Sequence, residues 1–300
     1  MKKIIKVGTR ESDLAMTQSR WVVQEIQKKY PELQFELVPI KTKGDVLLDT
    51  RLDKIGGKGL FIKELENALL DGSIDMAVHS MKDMPAELPE GLTISALSKR
   101  EDPRDALVTL SGQKLTELKT QAVIGTSSVR REAQLLVIRP DFQMKLLRGN
   151  VLTRLNKLLQ GEYDGVILAA AGLNRLGLEG KITQYFSIEE VVPAVGQGVL
   201  CVETREEDKL NAFLDSVHCE ASKFAVDAER AFLIRLNGGC TVPLGAHAVI
   251  EENSMKVYGM LASEDRTKIF KGFVEGPIND AISLGNRLAD EILAKMRTDC

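Results

Sequence analysis

The chain has 300 residues, 40 of them lysine or arginine and 43 aspartate or glutamate, for a formal net charge of −3. Apolar residues make up 44% and charged residues 28%, as in an ordinary globular protein, and the mildly acidic balance argues against general nucleic-acid binding. Length indicates two domains with room for a third, no apolar run is long enough to span a bilayer, and Met1–Arg10 is charged with no apolar stretch after it, so no secretory signal is read and a cytoplasmic protein is expected.

Ile4–Val7 reads as a first strand, followed by the turn Gly8-Thr9-Arg10 and a helix predicted over Asp13–Lys29 with Ser12 near its cap. Lys41–Gly59 holds Gly44, Gly56, Gly57 and Gly59 among Lys43, Arg51, Lys54 and Lys58, with weak apolar periodicity. It reads as a mobile loop and does not match the nucleotide-phosphate pattern G-x-x-x-x-G-K-[ST]. Ile74–Ser80 is a second strand, and Arg100–Asp105 a charged, proline-containing joint. The opening then repeats: Val123-Ile124-Gly125-Thr126-Ser127-Ser128-Val129-Arg130-Arg131 leads into a helix ending near Ile138, and Tyr163–Ala169 resembles Ile74–Ser80. Another helix is predicted from Val151 to about Gln160. Alternating strands and helices imply parallel-rich sheets, and the repetition implies two α/β lobes of similar build.

Pro193–Gly198 is a second joint, and Val199–Glu203 reads as a strand returning to the first lobe, so that two crossings would form a hinge. A long helix follows from about His218, then a cysteine loop, three strand-like runs near Ala246–Ile250, Met255–Leu261 and Lys268–Val274, and a final helix over Asp280–Arg297. The expected division is residues 1–99 with 198–217, residues 100–197, and an α+β domain at 218–300.

Ligands of α/β lobes bind at the carboxyl ends of the strands. Both Gly-Thr turns lie there, with backbone amides, hydroxyls and arginines making an anion cradle. Ordinary capping explains the hydroxyls but not the recurrence of Arg10, Arg130, Arg131, Arg148, Arg154 and Arg175 at loop–helix junctions. So many guanidiniums suit a ligand with many carboxylates. Lys82 and Asp83 follow a buried-looking strand, where a carboxylate can stabilise a cation or move protons or simply form a turn; His79 reads as a satisfied core or rim histidine. The four cysteines form no C-x-x-C pair, no His/Cys cluster has zinc spacing, and no metal is expected. Cys201 reads as core and Cys300 as exposed. Cys240, behind Gly238-Gly239 and before Pro243-Leu244-Gly245, sits on a tight turn that suits covalent attachment, or is a small buried turn residue.

In order along the chain, Gly8-Thr9-Arg10-x-Ser12, His79-Ser80-Met81-Lys82-Asp83-Met84-Pro85, Gly125-Thr126-Ser127-Ser128-x-Arg130-Arg131, Arg148-Gly149-Asn150, Ala171-Gly172-Leu173-x-Arg175 and Gly238-Gly239-Cys240 resemble the porphobilinogen deaminase (hydroxymethylbilane synthase) family. The match runs from about residue 5 to 247. The resemblance implies two hinged lobes of the periplasmic-binding-protein type plus a small α+β C-terminal domain. It implies a dipyrromethane cofactor held by a thioether to Cys240, and a transferase of tetrapyrrole and heme biosynthesis. In the family, porphobilinogen loses ammonia to give an azafulvene, the cofactor's terminal pyrrole attacks it, four units are added, and hydrolysis releases hydroxymethylbilane. The resemblance assigns Asp83 as the catalytic carboxylate and Arg10, Ser12, Lys82, Thr126, Ser128, Arg130, Arg131, Arg148, Arg154 and Arg175 to substrate and cofactor binding. Lys54, Lys58 and Phe61 fall on the family's mobile loop. It also implies a monomer without nucleic-acid or membrane partners.

Two other readings account for part of the pattern. A two-lobed anionic solute-binding protein explains the Gly-Thr turns and arginines but not the cysteine loop or third domain. A thiol enzyme using Cys240 as nucleophile needs a base that no spacing supplies.

Overall fold

The computed structural model describes residues 4–46, 61–208, 210–236, 243–263 and 268–298. The chain falls into two compact units, one from Met1–Leu48, Gly57–Glu101 and Gly198–Lys223, the other around Asp102–Gln197 and Phe224–Cys300. It begins with β1 (Ile4–Arg10), α1 (Asp13–Lys29), β2 (Gln34–Ile40), the short α2 (Lys43–Val46), α3 (Lys63–Leu70), β3 (Met76–Ser80) and β4 (Leu92–Leu97). Next come β5 (Asp105–Val108), β6 (Val123–Thr126), α4 (Val129–Ile138), β7 (Gln143–Leu146), α5 (Val151–Leu159), β8 (Gly165–Ala169), α6 (Ala170–Arg175) and β9 (Gln184–Tyr185). Then β10 (Leu200–Arg205), α7 (Asn211–Leu214), α8 (Glu220–Arg235), β11 (Leu244–Glu251), β12 (Ser254–Ala262), β13 (Ile269–Pro277) and α9 (Ala281–Thr298) complete it.

The two similar α/β lobes are two five-stranded sheets, ordered β2-β1-β3-β10-β4 and β7-β6-β8-β5-β9. Each has three parallel strands, then an antiparallel strand, then an edge strand. The expected return strand is β10, which lies between β3 and β4. Both faces of the first sheet are covered, as parallel strands require. Val22 and Ile26 of α1 meet Ile5, Val7, Met76, Val78 and Val202 on one side. Leu65 and Leu69 of α3 meet Ile74, Ala77 and Leu92 on the other.

The internal repeat has a physical basis. In the first sheet, Asp75 N donates to Lys6 O at 2.9 Å and Lys6 N donates back to Asp75 Oδ2 at 2.9 Å. In the second, Asp164 N donates to Val123 O at 2.9 Å and Val123 N to Asp164 Oδ2 at 2.8 Å. One aspartate therefore closes each parallel pair from both sides. The residue before it packs onto the strand glycine: a Cβ on Gly8 would collide with Ile74 and Leu65, and one on Gly125 would stand 2.8 Å from the Tyr163 ring. The Gly-Thr pairs, expected as turns, are instead among the last paired residues of β1 and β6, because the parallel ladders to β2 and β7 continue through them, and their glycines are fixed there by packing.

The three strand-like runs after the cysteine loop form the antiparallel meander β11-β12-β13. Helices α8 and α9 pack on it through Phe232, Leu284, Leu288 and Ile292 over Val257 and Val274. No helix among the described residues is long and apolar enough to cross a membrane.

Replacing Asp75 or Asp164 with alanine removes the acceptor of a strand amide in each sheet. Each change is expected to lower unfolding free energy by about 1–3 kcal/mol, read from urea midpoints at constant slope. Unchanged midpoints would show that water replaces the clasp without loss.

Candidate active site

In the first unit, β1 and β3 end side by side. Ser12 caps α1, its Oγ accepting from Ala15 N at 3.3 Å. The Arg10 guanidinium lies over the Phe61 ring, 4.3 Å from its centroid. Strand β3 runs into a single 3-10 turn, Met81–Asp83, in which Met81 is buried and Lys82 and Asp83 are half-buried. Met81 N donates to Val199 O at 2.9 Å, tying this turn to the segment entering β10. Gln18, buried on α1, reaches Ser80 Oγ at 3.2 Å and braces the end of β3. The Asp83 carboxylate has no hydrogen bond or ion pair among the described residues. His79 is buried with Nε2 2.9 Å from Glu203 Oε2, the satisfied core histidine expected. Cys201 is fully buried.

In the second unit, β6 delivers Thr126, whose Oγ1 accepts from Ser128 N at 3.2 Å. Ser128 caps α4, its Oγ accepting from Arg131 N at 3.4 Å. Arg130 and Arg131 then turn into the interior, 4% and 6% exposed, onto Asp105, which is wholly buried at the start of β5. Arg131 Nε and Nη2 donate to Asp105 Oδ1 at 3.0 and 2.7 Å, and its Nη1 donates to Ile167 O at 3.1 Å. Arg130 Nη1 lies 2.7 Å from Asp105 Oδ2, within ion-pair distance but off the angle for a hydrogen bond, and donates to Val192 O at 2.6 Å. Gln197 Nε2 adds a bond to Asp105 Oδ1 at 2.9 Å. Burial opposes the charge on Asp105, but the guanidiniums of Arg130 and Arg131 overcome it and hold the carboxyl well below the usual range. Burial pushes the Arg130 guanidinium down despite Asp105. Two guanidiniums face one carboxylate, so this buried group carries surplus positive charge.

Arg148 is buried just before α5. Asn150 caps that helix, accepting from Thr153 N at 2.8 Å and Thr153 Oγ1 at 2.9 Å. Arg154 Nε donates to Gly149 O at 2.8 Å, folding the side chain back over the helix start. Arg175 is half-buried in the last turn of α6. The heads of α4 and α5 thus combine amides, hydroxyls and guanidiniums, a chemistry that holds anions.

Cys240 lies outside the described residues, as do Lys54, Lys58 and Cys300. The elements flanking the cysteine loop are described. Helix α8 sends the buried Glu229 to Gly196 N at 2.7 Å and Ala248 N at 2.9 Å. A Cβ on Gly245 would stand 2.6 Å from Pro193 O, 2.9 Å from Val192 O and 3.0 Å from Arg130 Cδ. The strand leaving the loop therefore starts against the same peptide that receives Arg130.

Asp105, Gln197, Gln18 and Glu229 were not among the residues singled out from sequence. Asp105 carried one signal, a carboxylate directly preceding the apolar run Ala106-Leu107-Val108. Its partners lie 25, 26 and 92 positions away, beyond any local pattern.

Residues 5–212 match the family model "Porphobilinogen deaminase, dipyromethane cofactor binding domain" and residues 223–294 match "Porphobilinogen deaminase, C-terminal domain". The chain is 50% identical over 292 residues to a porphobilinogen deaminase of Brevibacillus brevis, covering 97% of this chain and 94% of that one. It is 51% identical over 292 residues to one of Bacillus subtilis, covering 96% and 92%. Among solved structures, a nutrient binding protein from Burkholderia cenocepacia bound to methionine aligns at 14% identity over 71% of this chain and 90% of that one, with a TM-score of 0.46.

Asp105→Asn would strand two buried guanidiniums and is expected to destabilise the protein by about 3–5 kcal/mol, read by chemical denaturation. Asp105 has a folded pKa below its unfolded one, so its contribution is present above the unfolded value and is lost as pH falls toward the folded one. The variant should accordingly lose less stability on acidification than the wild type.

Proposed function

The chain belongs to the porphobilinogen deaminase family, and from that premise we propose that Cys240 carries its dipyrromethane cofactor and Asp83 serves its chemistry. The activity is that of a hydroxymethylbilane synthase, a transferase of tetrapyrrole and heme biosynthesis. It condenses four porphobilinogen units with loss of ammonia and releases hydroxymethylbilane.

The residues present fit a cofactor with carboxylate arms. The observation that carries the assignment is the buried Arg130–Asp105–Arg131 group, with its surplus positive charge in the unit whose α8 and β11 flank Cys240. A guanidinium has five N–H donors, and Arg131 spends three of them on Asp105 and Ile167. The remaining donors, with Arg148, Arg154, Arg175, Thr126 and Ser128, are assigned to carboxylates of the cofactor and growing product. When bound, the cofactor supplies the nucleophilic pyrrole carbon to which each unit is joined.

Arg10, Ser12 and Lys82 are assigned to the acetate and propionate arms of porphobilinogen. Phe61, lying against the Arg10 guanidinium, restricts its swing. Asp83 accepts from a pyrrole N–H and stabilises the positive charge that develops as ammonia leaves. Its position supports this role. The 3-10 turn pins Met81 in the core and to Val199 while leaving Lys82 and Asp83 half-buried. Lys54 and Lys58 are assigned to the loop preceding Phe61. We further propose that the enzyme acts as a cytoplasmic monomer without nucleic-acid or membrane partners, the oligomeric state being checked by light scattering.

Cys240→Ser is expected to give a protein with the bare sequence mass, no colour with a pyrrole-specific aldehyde reagent, and no turnover. Asp83→Asn should keep the added dipyrrole mass while turnover falls by about 10²–10⁴-fold. Full activity of the first variant without any pyrrole would reject the tether, and normal turnover of the second would remove Asp83 from the reaction.

A further inference from the structure

Behind the Lys82–Asp83 turn, the first unit buries three titratable groups that the reaction does not use: Glu66 of α3, His79 of β3 and Glu203 of β10, exposed 7%, 5% and 0%. Strand register explains how two of them meet. His79 is paired with Cys201, and Glu203 with Ala77, so His79 and Glu203 are diagonal neighbours on one face. Their side chains close to 2.9 Å. That bond engages Glu203 Oε2. Glu203 Oε1 and Glu66 Oε1 are buried and have no hydrogen-bond partner.

Two buried carboxylates and one imidazole cannot all carry charge without a large desolvation penalty. One proton on Glu66, donated to Glu203 Oε1, would satisfy both orphaned oxygens and remove one of the two buried negative charges. Burial, then the Glu203 charge, push the Glu66 carboxyl upward, against the smaller opposing pull of His79 and Lys63. The other nearby cation on β10, Arg205, is occupied by Asp75, Asp208 and the carbonyls of Leu69 and Ile74. Strand β4 brings no charged side chain.

We propose that Glu66 and Glu203 share one proton, and that this acid pair, through His79, makes Glu203 a positioning residue for the turn bearing Lys82 and Asp83. The group ties α3 and β10 to β3 immediately before the strand gives way to that turn. Its functional half rests on Asp83 being the reacting carboxylate.

Infrared difference spectra of wild type against Glu66→Gln at neutral pH test the shared proton in the holoenzyme without reference to turnover. A protonated-carboxyl C=O band that is absent from the variant is expected; carboxylate bands alone would overturn the proposal. A folded state that holds this proton above the ordinary glutamate range loses stability as pH rises through that window. Glu66→Gln should show a smaller fall over the same window, and an identical fall counts against the proposal. Glu203→Gln should lower kcat about ten- to a hundredfold with KM for porphobilinogen little changed. An unaltered kcat, or a loss confined to KM, would reject the positioning role. If Glu203→Gln does not fold, His79→Asn supplies the same kinetic comparison. Intact turnover in Asp83→Asn would instead reject the Asp83 reading and leave the infrared result standing.

Discussion

The second unit depends on one carboxylate held between two guanidiniums. Asp105 is fully buried, and ionisation there is sustained by Arg130 and Arg131 together. The same contact fixes the first turn of α4, because the side chains that hold Asp105 are the two residues following Val129 in that turn. It also reaches the segment before β10, through Gln197 to Asp105 and through Arg130 to the Val192 carbonyl. Helix capping, strand placement and the seat of the third sheet converge on this group. A buried pair gains its stability from completeness, so loss of any one partner is felt by the rest.

The two sheets solve the same local problem in the same way, with an aspartate clasping a parallel pair and a glycine admitting the bulky residue before it. Their functional complements differ. The first presents a half-buried Lys-Asp turn and an arginine stacked on an aromatic ring. The second presents helix heads backed by buried arginine. One architecture thus carries a half-buried carboxylate in one unit and, separately, a buried cationic group in the other.

Much of this was legible in the sequence. The helix over Asp13–Lys29, the return strand after Gly198, the closing meander and the caps at Ser12 and Ser128 follow local rules, and the structure contains them. The internal repeat was visible as matched Gly-Thr and Asp positions, although their packing partners were not. Sequence reading expected Arg130 and Arg131 in an anion site but did not show that both hold Asp105. Asp105 itself read as part of a charged joint. The cause is the same throughout: periodicity reports which face is buried, whereas the partner of a buried charge is chosen across the sheet by residues far away in the chain. His79 illustrates the converse, since its burial was expected and its partner, 124 positions away, was not.

The insertion of β10 between β3 and β4 has a consequence for the order of assembly. Leu200 and Val202 lie in the hydrophobic core of the first sheet, so the amino-terminal half cannot finish its interior until about a hundred later residues have been synthesised. The second sheet draws its strands from one uninterrupted stretch, Asp105–Tyr185, and has no such wait. On the ribosome, the middle of this polypeptide can consolidate before its beginning, reversing the usual vectorial sequence.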